Sequence, residues 1–115
     1  MKNIARGEVW TADLRPGEGH EITKIRPVLI ISNNAINKIS PMVIVIPISS
    51  QIPPVIGSDR IFVSKNELKL AKDSIILCGQ IRTIDKSRIK KKIDTLPKEK
   101  LQEVEDALRL VLSLS

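Results

Sequence analysis

Arg26-Pro27-Val28-Leu29-Ile30-Ile31 predicts a β-strand that is buried on both faces. No polar residue alternates with the aliphatic ones, so neither face is patterned for contact with water. The turn formers Ser32-Asn33-Asn34 end the run. Because a guanidinium cannot follow aliphatic side chains into the core, we expect Arg26 at the end of the strand, where a carboxylate or phosphate can reach it.

The composition and the charge predict one basic, globular domain over residues 1–115. Hydrophobic residues make up 42% of the chain and charged residues 28%, which disfavours disorder. The formal net charge of +6 favours a polyanionic partner, although charge alone does not decide the matter. Trp10 and Phe62 are the only aromatic residues, so a sheet surface that stacks several bases is excluded. Nucleic-acid recognition would have to use arginines and polar groups.

Several kinds of chemistry lack their residues in this sequence. There is no glycine-rich phosphate loop, no cysteine or histidine pair and no dense carboxylate cluster, so we expect no metal or cofactor. Cys78 follows three aliphatic residues and has no intrachain partner, which favours a buried thiol in a reducing compartment. The longest apolar run, Met42–Ile48, is far shorter than the roughly 20 residues of a membrane span. Together with the lack of an apolar signal segment in residues 1–6, this predicts a cytoplasmic protein.

The apolar patterns predict five or six short strands followed by one long helix. The strands are expected over Glu8–Leu14, Val28–Ile31, Met42–Ile48, Ile61–Val63, Ser74–Leu77 and Gln80–Ile84, and the first of them alternates and should be half exposed. Pro47 cannot donate to a strand ladder, so the third strand should bulge or meet an edge there. Pro97 suits the first position of a helix, and apolar residues recur at helical spacing from Leu101 to Leu112. This order favours a compact, mostly antiparallel barrel of the β plus α class.

The remaining segments are predicted as loops, turns or short inserts. Loops or turns are expected over Arg15–Glu21, Asn33–Pro41 and Ile52–Asp59, and the first should be mobile over a surface. Ser64 with Glu67 has the form of a capping box that opens a short helix through Leu70. Ala107 and Leu114 lie outside the narrow apolar stripe of the terminal helix, which favours a dimer contact.

Ionisable side chains mark two candidate regions for chemistry. His20 and Glu21 are the titratable groups of the first loop, and a single histidine excludes a two-imidazole mechanism. The second region, Arg82–Lys92, holds six basic residues and one acidic residue. Its lysines can equally form a solvated face. Arg82 and Arg88 can hold phosphates, but a structural ion pair of either with the intervening aspartate explains them equally well.

Six separated blocks resemble those of MazF/PemK-type toxins in order and spacing. They are Arg6–Trp10, Gly19–Glu21, Arg26–Ile30, Ser32-Asn33, Pro47–Gln51 and Gln80–Arg88, and they span nearly the whole chain. The resemblance implies an SH3-like barrel and a homodimer. It also implies a sequence-specific, metal-independent endoribonuclease of a toxin–antitoxin pair, which cleaves single-stranded RNA and is held inactive by an acidic, MazE-like antitoxin.

The resemblance also implies roles for individual residues. The family's catalytic arginine falls on Arg26 and its catalytic hydroxyl residue, usually a threonine, on Ser49. The histidine and glutamate of its mobile loop fall on His20 and Glu21. The residues expected to bind RNA are Ser50, Gln51, Gln80, Arg82, Thr83, Lys86 and Arg88.

A mechanism consistent with these residues begins when an RNA 2′-OH attacks the neighbouring phosphorus. Arg26 and the Ser49 hydroxyl would donate to the non-bridging oxygens, and the products would be a 2′,3′-cyclic phosphate and a 5′-OH. Glu21 is the candidate base and His20 the next, because an arginine is a poor proton shuttle. Ser49 also has a purely structural interpretation as a strand-end cap.

Two other functions stay open from the sequence. One is a non-enzymatic poison of the same fold that resembles CcdB and binds gyrase through its C-terminal residues. Such tails typically end on a tryptophan, whereas this chain ends Leu112-Ser113-Leu114-Ser115. The other is an RNA-binding barrel without turnover. One branch of the toxin family uses an arginine and an aspartate where this chain has Leu77 and Gly79, so that acid–base pair is excluded here.

Overall fold

Seven strands and two α-helices form the fold in the computed structural model, which describes residues 2–15, 19 and 25–115. The strands are β1 (Glu8–Asp13), β2 (Ile25–Ile30), β3 (Met42–Ser49), β4 (Arg60–Val63), β5 (Ser74–Leu77), β6 (Arg82–Asp85) and β7 (Ile89–Thr95). The helices are α1 (Asn34–Ile39) and α2 (Lys98–Val111). Two 3₁₀ turns cover Cys78–Gln80 and Lys86–Arg88.

The seven described strands pair antiparallel throughout. Their order is β4-β5-β3-β2-β1-β7, and β6 pairs with β3 as well. This arrangement, with α2 at the C-terminal end, confirms the expected small, mainly β, barrel-like fold. In the part of the chain that the structure describes, no helix is long and apolar enough to cross a membrane.

The strand β3 lies at the centre of the sheet and changes neighbour along its length. Met42–Val45 pairs with β6, whereas Ile48 and Ser49 pair with β5. Pro47 lies between these two segments and faces Val28 of β2. At the predicted break, β3 therefore changes its partner strand from β6 to β5. Because Pro47 lies between the two paired segments, its lack of an N–H interrupts the hydrogen bonds of neither.

Apolar side chains fill both faces of the sheet. Leu29 belongs to a cluster that α2 covers with Val104 and Ala107. Val28 and Ile30 belong to a second cluster on the opposite face. The prediction that β2 is buried on both faces is confirmed, because these three strand residues are fully buried.

Three of the local predictions were wrong, and one was confirmed only in part. The first strand alternates as expected, with Trp10 and Ala12 buried and Thr11 half-buried, except that Val9 is fully buried as well. The turn predicted over Asn33–Pro41 contains α1, whose first backbone N–H groups are capped by the Asn33 side chain. The segment from Ser64 to Leu70 forms turns rather than a helix, although Glu67 accepts a hydrogen bond from the Ser64 N–H as a capping box requires. Ala107 packs in the core and is not available to a partner.

The strand β7 was missed because lysines hide its pattern. Lys90, Lys91 and Lys92 are exposed, while Ile89 is fully buried. These residues pair with β1 through a ladder that is irregular at Trp10. The predicted solvated lysine face is therefore the outer surface of an edge strand, where charges also discourage pairing with another chain.

Candidate active site

Arg26 and Ser49 are brought together by the pairing of β2 with β3. Val28 faces Pro47 and Leu29 faces Ile46 in this antiparallel ladder. Continuing the same register by two residues places Arg26 opposite Ser49, and directly opposite residues share one face of a sheet. The two residues to which the resemblance assigns catalysis therefore belong to the same face and the same end of the β2–β3 pair.

The guanidinium of Arg26 has an unused donor. Its Nε is buried and makes no hydrogen bond in the part of the chain that the structure describes. A buried donor without a partner costs about 1–3 kcal/mol, and native structures hold few of them. Such a donor is explained when a ligand supplies the acceptor.

Ser49 makes the hydrogen bond expected of a strand-end cap and keeps a donor for the catalytic role that the resemblance implies. It is buried, with 4% of its surface exposed, and its Oγ accepts the backbone N–H of Gln51 at 3.1 Å. A hydroxyl that accepts one hydrogen bond still has its own proton to donate. Among the described residues no acceptor is recorded for that proton, so it remains available to a phosphate oxygen that enters beside Arg26.

Arg82 joins the same face through β6. It pairs with Val45, which lies on the same side of β3 as Ser49 because the two are four residues apart. Arg26, Ser49 and Arg82 are together called the Arg26 site below. Gln80 lies in the 3₁₀ turn before β6, two residues before Arg82, and is half-buried.

Arg88 binds backbone carbonyls at the end of β1, and no ion pair with Asp85 is described. Its Nη1 donates to the backbone carbonyls of Asp13 and Arg15. These two contacts tie the end of β1 to the start of β7. Asp85 instead accepts the Ser87 N–H at 2.8 Å, and this hydrogen bond lowers the pKa of its carboxyl group. The described ion pairs include none between Asp85 and either Arg82 or Arg88, so the structural pair that the sequence allowed is not formed.

The remaining residues expected to bind RNA are spread more widely. Ser50 and Gln51 follow β3 and are exposed beside Arg26. Thr83 is exposed and faces Ile44, on the other side of the sheet from Arg82. Lys86 follows the end of β6 that pairs with Met42, at the far end of β3 from Ser49. The structure thus separates Thr83 and Lys86 from the Arg26 site.

The predicted acid–base residues cannot be placed. His20 and Glu21 lie outside the described residues. Leu77 and Gly79, which replace another branch's acid–base pair, occupy the end of β5 and the following 3₁₀ turn. The Cys78 thiol between them is fully buried, as predicted, and burial followed by the Asp59 charge raises its pKa to about 11, so it is not a nucleophile.

The described residues contain no group of three or more histidine, cysteine, aspartate or glutamate side chains that could hold a metal ion. They do contain a cavity of about 230 Å³ beside Arg26, which the sequence analysis did not predict. Its wall comes from Leu70, Ala71 and Lys72 in the segment before β5. No local pattern marks these residues, because the cavity arises from chain segments far apart in sequence.

Comparisons with known proteins agree on one family. A family model described as "PemK-like, MazF-like toxin of type II toxin-antitoxin system" matches residues 5–112. MazF from Deinococcus radiodurans (form I) has a TM-score of 0.85 at 21% identity, with 98% of this chain and 99% of that chain covered. The Mycobacterium tuberculosis toxin MazF-mt6 has a TM-score of 0.77 at 19% identity, with 94% and 98% covered. A mycobacterial endoribonuclease solved with its cognate antitoxin has a TM-score of 0.78 at 21% identity, with 96% and 95% covered.

Proposed function

This chain belongs to the PemK-like, MazF-like toxins of type II toxin–antitoxin systems, and from that premise we propose that it is an endoribonuclease. Its substrate is single-stranded RNA, which it cleaves at specific sequences in the cytoplasm without a metal ion. One toxin domain covers residues 1–115. Similar folds include proteins named as endoribonucleases, which supports this assignment.

The unpartnered Nε of Arg26 is the observation that carries the proposal. An RNA phosphate offers the acceptor that this donor lacks, and charge-assisted hydrogen bonds from arginine to phosphate are strong. During cleavage the negative charge on the non-bridging oxygens grows as the 2′-OH attacks phosphorus. Donors already fixed at those oxygens stabilise the transition state more than the ground state.

Ser49 is the second donor in this mechanism. Because its Oγ accepts the Gln51 N–H, the hydroxyl is held in one orientation and its proton is directed away from that bond. The 2′-oxygen forms a new bond to phosphorus while the bond to the 5′-oxygen of the next nucleotide breaks. Glu21 is the proposed base that takes the 2′-OH proton, with His20 as the next choice, and the leaving 5′-oxygen takes up a proton from water, so the products are a 2′,3′-cyclic phosphate and a free 5′-OH.

Cleavage of a long single-stranded RNA by the purified protein in EDTA tests the function. We expect discrete fragments that carry 2′,3′-cyclic phosphate ends, visible on a sequencing gel after end labelling. RNA that is bound but stays intact would identify a binding barrel without turnover. Intact RNA together with inhibition of gyrase would identify a CcdB-like poison. Cleavage that disappears in EDTA and returns with magnesium would contradict the 2′-OH mechanism.

An acidic antitoxin, resembling MazE, is the proposed inhibitor, and it competes with RNA. Structures similar to this chain include MazE–MazF complexes, and a net charge of +6 attracts an acidic peptide as well as RNA. In a fluorescence assay with uncleavable RNA, such a peptide should displace the RNA, and its association rate should fall steeply with salt. Simultaneous binding with unchanged affinities would exclude a shared site.

A homodimer is the proposed assembly. Leu110, in the last turn of α2, and Leu114, just beyond the helix, each keep 58% of their surface exposed, and such side chains favour burial against a second copy. Light scattering should give twice the mass of 12.8 kDa. A monomer at micromolar concentration would contradict this assembly.

A further inference from the structure

A second pocket adjoins the Arg26 site on the other side of the sheet. Continuing the β2–β3 register places Pro27 opposite Ile48, one residue along from Arg26 and Ser49 and hence on the opposite face. Both residues line the 230 Å³ cavity, together with Leu70, Ala71, Lys72, Ser50, Ser74 and Arg26 itself. These eight residues define the Leu70 cavity. Arg26 therefore borders two compartments, one with Ser49 and one without.

The chemistry of the lining suits a small planar group with polar edges. Pro27, Ile48, Leu70 and Ala71 supply apolar walls. Ser50, Ser74 and Lys72 add polar residues to the lining. The volume is below the roughly 300–1,000 Å³ of sites for drug-sized molecules, so the cavity takes one ring system rather than two.

The wall formed by residues 70–74 is fixed before any ligand binds. The Ser74 hydroxyl donates to the Lys72 carbonyl at 3.0 Å, and the Asp73 carboxylate accepts the Lys65 N–H at 2.9 Å. The Leu70 N–H donates to the Leu68 carbonyl at 2.7 Å. A preformed wall loses little conformational entropy on binding, which favours a selective site.

We propose that the Leu70 cavity binds one nucleobase of the RNA, next to the phosphate held by Arg26, and selects the sequence that is cleaved. This inference rests on the proposed endoribonuclease function. Arg26 fixes the phosphate at the boundary of the cavity, so the base of an adjoining nucleotide is within reach of the apolar walls. Single-stranded RNA is read through unstacked bases whose edges form hydrogen bonds, and Lys72 supplies a donor for an acceptor edge.

A double-mutant cycle between the protein and the RNA tests the assignment. The wild-type cleavage sites are mapped first, and a short RNA of the preferred sequence is made uncleavable with a 2′-deoxy nucleotide at the cut. Abasic versions lack the base on either side of that position. Affinities are measured by fluorescence anisotropy for the wild type, for Ala71→Trp, which fills the cavity, and for the matched control Asn66→Trp. Asn66 is exposed in the same segment and does not line the cavity.

The effects on affinity of removing the base and of filling the cavity should not be additive. We expect one abasic change to weaken wild-type binding about tenfold, as the loss of a base contact does. Ala71→Trp should bind the intact RNA about tenfold more weakly and be insensitive to the same abasic change, because the contact is already lost. Asn66→Trp should behave as the wild type. Additive effects, or no effect of Ala71→Trp, would overturn the nucleobase assignment.

A second variant keeps the test decisive if Ala71→Trp does not fold. Lys72→Met retains the length of the side chain but removes the donor, so the preferred base beside the cut should change in sequenced cleavage products. An unchanged cleavage profile for every folded cavity variant would overturn the assignment. Wild-type protein that produces no fragments would instead overturn the endoribonuclease function, and the cavity assignment with it.

Discussion

The polar side chains at the two ends of β2 differ in whether their hydrogen bonds are complete. Beyond its C-terminal end, Ser32, Asn34 and Asn37 form a hydrogen-bonded network, called the asparagine cluster. Asn37 Nδ2 donates to the Ser32 carbonyl at 2.9 Å and to Asn34 Oδ1 at 3.3 Å, while its Oδ1 accepts the Ser32 hydroxyl proton. At the other end, the Nε of Arg26 is buried without a partner among the described residues. Each end contains a buried polar group, but only the asparagine cluster has completed its hydrogen bonds.

The difference separates a structural role from a functional one. A satisfied buried network stabilises one conformation of the loop after β2, because breaking any member leaves the others unpaired. An unsatisfied donor destabilises the free protein slightly and gains its partner only when a ligand arrives. Substitutions at the two ends should therefore affect different measurements.

Arg26→Ala should show the largest effect, and on activity alone. We expect the cleavage rate to fall about 100-fold or more, equivalent to about 3 kcal/mol of lost transition-state stabilisation. The free energy of unfolding should stay the same or rise slightly, because the removed donor was unpaired. Single-turnover cleavage and urea unfolding measure the two quantities.

Arg60→Ala is the matched control for that experiment. Arg60 also lies on a strand and is partly buried, but its only recorded ion pair is at 4.0 Å to Asp59. The Arg60→Ala variant should cleave RNA at the wild-type rate. A wild-type rate for Arg26→Ala would remove Arg26 from the mechanism.

Asn37→Ala should show the converse result. Its removal takes away the acceptor of the Ser32 hydroxyl proton and the Asn37 donor to the Ser32 carbonyl, while the Ser32 Oγ still accepts the Ile44 N–H, so stability should fall by about 2 kcal/mol. The folded fraction should still cleave RNA at the wild-type rate. Asn66→Ala, at an exposed position, is the control and should change neither quantity. Loss of cleavage at full stability would show that the two ends are coupled.

The sequence predicted the centre of the sheet and the position of Arg26 because both depend on local patterns. Val28–Ile31 and Met42–Ile48 are continuous apolar runs, which are typical of strands buried on both faces. The helix α1 was missed because six residues are too few for a helix to form on propensity alone. It depends on the Asn33 cap and on the contacts of Asn37, which no local rule reveals. The Leu70 cavity is equally non-local.

Ser49→Ala should have a smaller effect that falls on both measurements. A neutral donor contributes about half as much as a charged one, so we expect the cleavage rate to fall about tenfold, or about 1.4 kcal/mol. Stability should also fall by about 1 kcal/mol, because the Gln51 N–H loses its acceptor. Loss of stability with full activity would leave Ser49 as a strand-end cap only.

Glu8→Gln should have the smallest effect, and it should depend on pH. Glu8 lies at the same end of the sheet as the asparagine cluster. Burial alone would raise the pKa of its carboxyl group, but hydrogen bonds from Lys92, the Ala5 N–H and Trp10 outweigh it and lower the pKa. A carboxyl whose folded pKa is lowered stabilises the protein above its unfolded pKa, about 4.3 for glutamate, and loses that contribution as the pH falls through the folded value.

Wild type and Glu8→Gln should therefore differ by about 1 kcal/mol in unfolding free energy at pH 7, and the difference should shrink as the pH falls below about 4.3 and vanish below the lowered folded pKa of Glu8. Urea unfolding across this range measures the difference. A difference that grows on acidification would contradict the assigned direction.

The ¹H–¹⁵N NMR signal of the Arg26 Nε–H reports directly on whether this donor is reserved for RNA phosphate. Uncleavable RNA is titrated into the labelled protein, and Arg60→Lys and Arg26→Lys spectra assign the two side-chain signals. We expect RNA to move the Arg26 signal downfield and to slow its exchange with water, while the Arg60 signal stays in place. RNA that binds while the Arg26 Nε–H signal and its exchange rate remain unchanged would contradict this expectation.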